Sequence, residues 1–497
     1  MTELLRSLHR FWPEVVLTVG LLLVVLVDTT RVRGRDVANW LLTMATLAAA
    51  FVLSVRLGTQ SGGLFEGMLA LDPMGIFFKL ILIGSSLLVV GAFRFEGSRE
   101  LRGLGQGEFY ALMLAVTFSN LLLSAANDLA MLYLALEMVS ITSYVMVAYL
   151  KGDRLSNEAS LKYILFGAVS TGAMLYGLSL LYGMTGSTSL PVIRQVLASG
   201  LTDANRLTVY VVALLVFAGF GFKTASVPFH FWCPDVYQGA PTPVTAFLSV
   251  APKAAGFAIM LRFFFSGLAR PGAGDWDLIM AFQWVPVLML VSVVTMTVGN
   301  IAALTQTNMK RLLAYSSIAH AGYIMMGVVA LSENGARALL IYLLAYLFMN
   351  LGAFLVVTLI HNLDGTFDLR DYPGMYRRAP FLTLAMSIFL FSLMGIPPLV
   401  GFMGKLYVFA AIIERGSHYW WYAFAAAINA AIAAYYYARV LKTMIIDEGG
   451  EDKPVLKLAA ADLAWVGALA AANVFPLLWW SSIEGWARSS LVLYAGR

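Results

Sequence analysis

Charge is what this sequence has least of. Only 12% of its 497 residues are Asp, Glu, Lys or Arg, about half the quarter usual in soluble domains, while 60% are hydrophobic. That shortage excludes a largely solvated surface and points to a chain dissolved in a bilayer. Cysteine is almost absent: Cys233 stands alone, which excludes an internal disulfide, a cysteine zinc site and an iron–sulfur cluster, whose ligation usually takes four protein ligands. There is no strand–GxGxxG–helix unit and no GxxxxGK[ST] loop; Gly103, Gly105 and Gly107 have the wrong spacing and sit in a charged loop. The net charge of +5 is spread out, with no basic cluster interleaved with aromatics, so nucleic acid is not an expected partner. No residue pattern holds a metal, flavin or nucleotide, so no cofactor is expected in this chain and redox chemistry is expected elsewhere.

What is present is apolar sequence in lengths that span hydrocarbon. About twenty apolar residues are needed per helix, and that requirement predicts about fourteen spans, near 13–30, 38–57, 73–93, 108–126, 129–150, 159–184, 207–232, 243–268, 278–304, 311–331, 336–361, 380–413, 419–443 and 458–480. No AxA-like site follows the first span, so it is read as a retained helix rather than a signal peptide. The longest connections, about 184–206 and 443–457, are too short for a separate domain. The expected fold is an all-α polytopic membrane protein in a single membrane-embedded domain spanning 1–497. Within it, 1–104 holds three N-terminal spans, 105–270 and 275–445 two related halves, and 446–497 the last span and tail. Lys and Arg number 17 in the loops after odd-numbered spans and 11 on the other side. The excess places those loops in the cytoplasm and both termini on the periplasmic side of a bacterial cytoplasmic membrane.

The stretch 219–256, GFGFKTASVPFHFWCPDVYQGAPTPVTAFLSVAPKAAG, departs from this pattern. Lys223 and Lys253 lie in membrane-spanning sequence, with Pro228, Pro234, Pro241 and Pro243 between them. Broken backbone at membrane depth must be buried in protein or line a wet cavity, and an ammonium there is costly. The pair therefore marks ion handling. The run GIPPLVGFMGK (395–405) repeats the combination of prolines, glycines and a lysine five spans later. Two Gly/Pro-broken segments in corresponding positions indicate inverted repeats, and an odd offset gives opposite topology.

Lys79 and Lys162 complete the intramembrane lysines. Glu137 is read as the one carboxylate well inside a span, and His320 lies in the tenth. An ammonium out of water holds its proton loosely, and a nearby carboxylate tightens the hold. A Lys–Glu pair whose separation changes can therefore take up and release a proton without a cofactor, and Lys, Glu, His and hydroxyls are the usual relay groups in membranes. Plainer readings stand beside this one: a static ion pair for Lys223, Lys253, Lys405 and Glu137, a satisfied core histidine for His320 or His230, helix capping for Asp128 and Asp235. Lys162 and Lys79 lie near span ends, where lysines snorkel to the interface; for Lys79, snorkelling or a partner contact is the preferred reading.

Five segments carry a family likeness: LEMVSITSY (136–144), ASLKYILFGAVS (159–170), FKTASVPFHFWCPDVYQGAPTPVTA (222–246), NMKRLLAYSSIAHAGY (308–323) and GIPPLVGFMGKLYVF (395–409). Together they resemble the antiporter-like membrane subunits of NADH–quinone oxidoreductase, respiratory complex I, over roughly residues 105–445. The resemblance implies two inverted five-helix repeats, spans 4–8 and 9–13, with helices 7 and 12 broken, and a proton route along the membrane centre. It implies that Glu137 pairs with Lys223, that Lys253 connects onward, that Lys405 stands at the exit, and that Lys162 and His320 belong to the matching sixth and tenth spans. Lys79 matches no family position. The implied activity is proton translocation driven by quinone reduction in partner subunits that carry FMN and iron–sulfur clusters. The implied partners are other membrane subunits of the complex, including antiporter-like homologues. Lys405 and the short tail separate the chain from two other antiporter-like types, one with glutamate at that position and one with a long lateral helix. A subunit of a cation/proton antiporter and a purely structural membrane subunit are the alternative readings.

Overall fold

The computed structural model describes residues 2–30, 34–93, 98–200, 203–271, 276–279, 284–449 and 454–493. Arg31, Arg33, Arg94, Lys453 and Arg497 of the orientation count lie outside them, as does the side chain of Arg206.

Nearly all regular structure is helical. In chain order the helices are α1 (Thr2–Arg10), α2 (Trp12–Thr29), α3 (Arg35–Leu57), α4 (Pro73–Ala92), α5 (Gln106–Ala125), α6 (Leu129–Val147), α7 (Arg154–Thr185), α8 (Leu190–Gly200), α9 (Asp203–Thr224), α10 (Trp232–Gly239) and α11 (Thr242–Leu261). They continue with α12 (Val285–Ala303), α13 (Met309–Val329), α14 (Glu333–Asp364), α15 (Met375–Arg378), α16 (Pro380–Met394), α17 (Val400–Ile413), α18 (Trp420–Ile445), α19 (Ala460–Val474) and α20 (Trp480–Ser489). Two short antiparallel hairpins, β1 (Gly62–Leu64) with β2 (Leu69–Leu71) and β3 (Ala269–Pro271) with β4 (Trp276–Leu278), sit in connections.

Among the described residues, thirteen helical segments are long and apolar enough to cross a membrane, and the shorter α16 and α17 together supply a fourteenth crossing. The predicted spans all fall on these segments. The 184–206 connection is not bare loop, since it contains α8. Alternation of the crossings is visible in the loops. Those after crossings 3, 7, 9 and 11 meet at one end: the Thr242 amide donates to Glu100, and the Met309 amide to the Phe367 carbonyl at 2.8 Å. The ends of crossings 4 and 8 and the start of crossing 3 meet at the other, where Arg262 joins Asp72 and the Ser124 carbonyl.

The core is a group of wholly enclosed helices. Every residue of α11 is buried, with all but two of the 21 in α13 and 23 of the 32 in α14. Their neighbours come from both halves, since α11 packs on α4, α5, α9, α13 and α14. Without a hydrophobic drive between helices in lipid, close approach at small residues supplies the packing. One close case is α12 on α13: a Cβ at Gly299 would stand 2.9 Å from the Tyr315 carbonyl oxygen, and one at Gly322 2.8 Å from that of Ser292. Backbone on both sides leaves no room to yield. Gly299→Leu is therefore expected to lower the stability of the solubilised protein by roughly 1–3 kcal/mol or more, read as a fall in its thermal aggregation midpoint; an unchanged midpoint would show that the two helices can part without cost.

Two crossings are broken, as the sequence predicts. α9 stops at Thr224, Ala225 takes a φ of 58°, and α10 resumes at Trp232. α16 stops at Met394, Gly395 takes a φ of 83°, and α17 resumes at Val400. The freed backbone groups find side chains. Thr295 Oγ1 accepts from the Val227 amide at 3.0 Å, the Trp232 indole donates to the Phe222 carbonyl at 3.1 Å, and Ser392 Oγ accepts from the Gly401 amide at 3.1 Å. This is the condition under which non-helical backbone survives at membrane depth.

Candidate functional site

The α9 break leaves Lys223 in its last turn, 2% exposed, and the ammonium donates to Ser140 Oγ on α6 at 2.9 Å. The expected Glu137–Lys223 contact is not made. Among the described residues no ion pair joins them, although Glu137 acts electrostatically on Lys223 from one turn away on α6. Glu137 is only half-buried, on a helix face it shares with the exposed Leu134, Met138 and Ile141. Residues 137 and 140 stand only about 60° apart around the helix axis, but that rotation gives the fully buried, inward position to the serine and leaves the glutamate half-buried.

Lys253 lies on α11 after Pro252 and is 2% exposed. Its ammonium donates to the Ser317 carbonyl at 2.9 Å and to Ser317 Oγ, which also accepts from the Tyr346 hydroxyl at 2.8 Å. One residue earlier on α13, Ser316 shares a hydrogen bond with the Tyr437 hydroxyl. That hydroxyl lies 3.2 Å from His320 Nε2, and the Tyr342 hydroxyl lies 2.9 Å from Nδ1. His320 is thus a satisfied core histidine, held by two tyrosines, and both Lys253 and Lys405 act on it electrostatically. Further along α13, the Tyr323 ring lies 5.1 Å from the Lys405 ammonium, and its hydroxyl lies 3.4 Å from Asn300 Nδ2. Asn300 continues the polar line to Asn429 and Tyr436.

Lys405 reaches back across the second break. It donates to the Leu393 and Met394 carbonyls at 3.0 and 2.7 Å, the exposed acceptors at the end of α16. A cation at a helix C-terminus completes the orphan carbonyls and the helix dipole together.

The remaining lysines are held differently. Lys79 does not snorkel: it is 2% exposed and 2.5 Å from Glu14, itself 1% exposed in α2. Glu14, near the start of the first span, is a buried carboxylate that the sequence does not single out. Arg262, Lys310 and Arg378, counted as loop residues, are also buried; without them the count of 17 against 11 becomes 15 against 10, with the excess on the same side. Arg262 makes a two-pronged bond to Asp72, each at 2.7 Å, and a third bond to the Ser124 carbonyl. Lys162, 37% exposed, is paired with Glu158 at 2.9 Å and Asp235 at 2.6 Å. Asp235 also accepts from Arg311 at 2.6 Å, so it ties α10 to α7 and α13 rather than merely capping a helix. Asp128 does cap α6, accepting from Ala130 at 2.9 Å. His230 is buried in the first break, and its Nδ1 has no partner among the described residues.

One contrast sorts the lysines. An opposite unit charge at 4 Å tightens the hold on a proton by about 4 kcal/mol at an effective dielectric of 20, about three decades of affinity. Lys79 and Lys162 have such a partner. Lys223, Lys253 and Lys405 rest only on hydroxyl and carbonyl oxygens. The sequence does not reveal their acceptors, because Ser140, Ser317 and the tyrosines look like ordinary span residues; the hydroxyl-rich turn at 315–317 was the one available signal. No group of acidic, histidine or cysteine side chains able to hold a metal occurs among the described residues.

Comparison with known proteins places the chain in a family. The family model for the NADH:quinone oxidoreductase/Mrp antiporter transmembrane region matches residues 126–442. NADH-quinone oxidoreductase subunit N of Anaeromyxobacter sp. (strain Fw109-5) is 44% identical over 512 aligned positions covering 99% of this chain and 98% of the relative. A chain of respiratory complex I from Thermus thermophilus superposes with a TM-score of 0.78 at 31% identity, covering 95% of this chain and 98% of that one. A chain of the Mrp complex from Dietzia sp. DQ12-45-1b, at 19% identity and a TM-score of 0.83 over 98% of this chain and 97% of that one, shares the fold. The chain belongs to the antiporter-like membrane subunits of NADH–quinone oxidoreductase, on the side of the family that includes subunit N.

Proposed function

We propose that this chain translocates protons as a membrane subunit of NADH–quinone oxidoreductase, and that Glu137, Lys223, Lys253, His320 and Lys405 carry them. The supporting observation is a set of three buried lysines without carboxylate contacts, of which Lys253 and Lys405 are joined through α13 by Ser317, Ser316, Tyr437, His320 and Tyr323, while Lys223 rests on Ser140 of α6. Quinone reduction in partner subunits, which hold the FMN and iron–sulfur clusters, alters the field at the half-buried Glu137. Movement of that carboxylate toward the ammonium now on Ser140 tightens the Lys223 proton; its withdrawal releases the proton toward Lys253. From Lys253 it passes by the Ser317–His320 region to Lys405, whose seat on the end of α16 makes it the last station.

Lys162 serves as a positioning residue in this scheme, since its bond to Asp235 anchors α10 beside the α9 break. The loops after odd-numbered crossings face the cytoplasm and both termini the periplasm. The test uses the assembled complex in sealed vesicles. Lys223→Ala and Glu137→Ala are expected to cut proton translocation per electron severalfold while the complex still assembles. If either variant pumped at the parental ratio while quinone reduction ran normally, the scheme would be wrong. Recovery of iron–sulfur subunits with the purified chain separates this reading from a free-standing cation antiporter.

A further inference from the structure

The three lysines have, as described, no group linking Lys253 to water. At the end where the loops after crossings 3, 7, 9 and 11 converge, Glu100 is 11% exposed. Its Oε2 accepts from the Thr242 amide at 2.7 Å, the first residue of α11. Its Oε1 lies 3.5 Å from the Lys310 ammonium, which donates to the Ala240 carbonyl at 2.6 Å, just past the end of α10. His361 on α14, the neighbouring Arg99 and Asp153 also act electrostatically on this cluster, and Asp462 lines the pocket beside it. A pocket lined by Ser98, Pro243, Thr358 and Asn362 opens beside it.

From that carboxylate inward, α11 presents Thr242, Thr245, Ser249 and Lys253, all buried. Steps of three, four and four residues keep them on one helix face, and eleven residues cover about 16 Å. Ser249 Oγ accepts from Asn350 Nδ2 on α14 at 2.5 Å. Two polar atoms along this face, Thr242 Oγ1 and Asn350 Oδ1, are buried with no partner among the described residues. Side chains one turn apart stand about 5–6 Å apart at Cβ, a gap that one bridging water closes. The Thr245 and Ser249 hydroxyls also donate to backbone carbonyls, to Tyr237 at 3.0 Å and to Ala246 at 2.6 Å, and on this otherwise apolar helix their spacing lines them up between a solvent-touching carboxylate and a buried lysine.

We propose that Glu100 is the proton-loading group of this chain and that the Thr242–Thr245–Ser249–Asn350 face conducts from it to Lys253. The proposal rests on the reading of Lys253 as a proton carrier. A proton from the aqueous phase binds the Glu100 carboxylate. The resulting acid gives its O–H proton to the hydroxyl-and-water line, in which each oxygen accepts one proton and releases its own. The last transfer converts the Lys253 amine to an ammonium, and Glu100 returns to a carboxylate.

Glu100→Gln tests this, because glutamine keeps the shape and one acceptor oxygen for the Thr242 amide but cannot carry a proton; its NH2 group replaces the oxygen facing Lys310, whose ammonium keeps its bond to the Ala240 carbonyl. In the assembled complex in sealed vesicles, with assembly checked on native gels, proton translocation per electron is expected to fall about a hundredfold or more, as far as in Lys253→Met. Glu100→Asp, which keeps the ionisable group, is expected to retain most of it, a rescue that a purely structural role of the side chain would not require. Ser249→Ala, a small change with little risk to folding, is expected to slow translocation as well. Parental pumping by Glu100→Gln beside a silent Lys253→Met would overturn the loading route and leave the proposed function standing; parental pumping by both would overturn the two together.

Discussion

Alanine in place of Asp72 is expected to destabilise the chain by about 3–5 kcal/mol, the largest stability effect available outside the proton line. Asp72 and Arg262 are both fully buried, with the guanidinium gripping both carboxylate oxygens. Removing one partner leaves an uncompensated charge, and water cannot reach it. The same carboxylate caps α4 through the Gly75 amide at 2.7 Å, which adds about 1 kcal/mol to the loss. Arg262 ends the crossing that carries Lys253, so the clamp also fixes how far α11 reaches into the membrane. The reading is the amount of chain retained in the membrane and the thermal midpoint of the solubilised complex. Removing both charges by Asp72→Leu with Arg262→Met should recover much of the loss, because a buried pair contributes little net stability against apolar residues of similar volume. A single variant as stable as the parent, or a double variant worse than either single one, would contradict this account.

Lys253→Met is expected to give the largest functional effect, a fall in proton translocation of about a hundredfold or more with the chain still in place. Methionine nearly matches the lysine stem in length and suits the apolar surroundings of α11. Ser317 keeps its bond from Tyr346, so no new buried polar group is stranded. The substitution therefore separates proton carriage from packing. The measurement is initial acidification of vesicles holding the assembled complex, beside the melting temperature of the same preparation. A normal acidification rate at a normal melting temperature would remove Lys253 from the route; a collapse in melting temperature would make the residue structural instead.

These two residues show where sequence reading succeeds. Lys253 was legible because a lysine in a long apolar run is anomalous by cost alone, and its neighbour Pro252 strengthened the signal. Asp72 and Arg262 were not legible as a pair, since they lie 190 residues apart and each sits near the end of a span, where charge is ordinary. Glu14 escaped notice for the same reason. Without it the sequence leaves Lys79 as a snorkelling or partner-contacting lysine, whereas a buried carboxylate from the first crossing neutralises it.

The sequence by itself determined that the chain lives in a bilayer, that it crosses about fourteen times, that crossings seven and twelve are interrupted, and which lysines are anomalous. Those are properties of runs and of solvation cost, which depend on local composition. Only the tertiary structure decided what each ammonium touches. It put Ser140 rather than Glu137 against Lys223, Ser317 against Lys253, and the end of α16 against Lys405. Whether a buried lysine is locked or able to release its proton depends on a partner within a few ångströms. That partner is chosen by helix rotation and packing between segments distant in the chain, which composition and spacing do not encode.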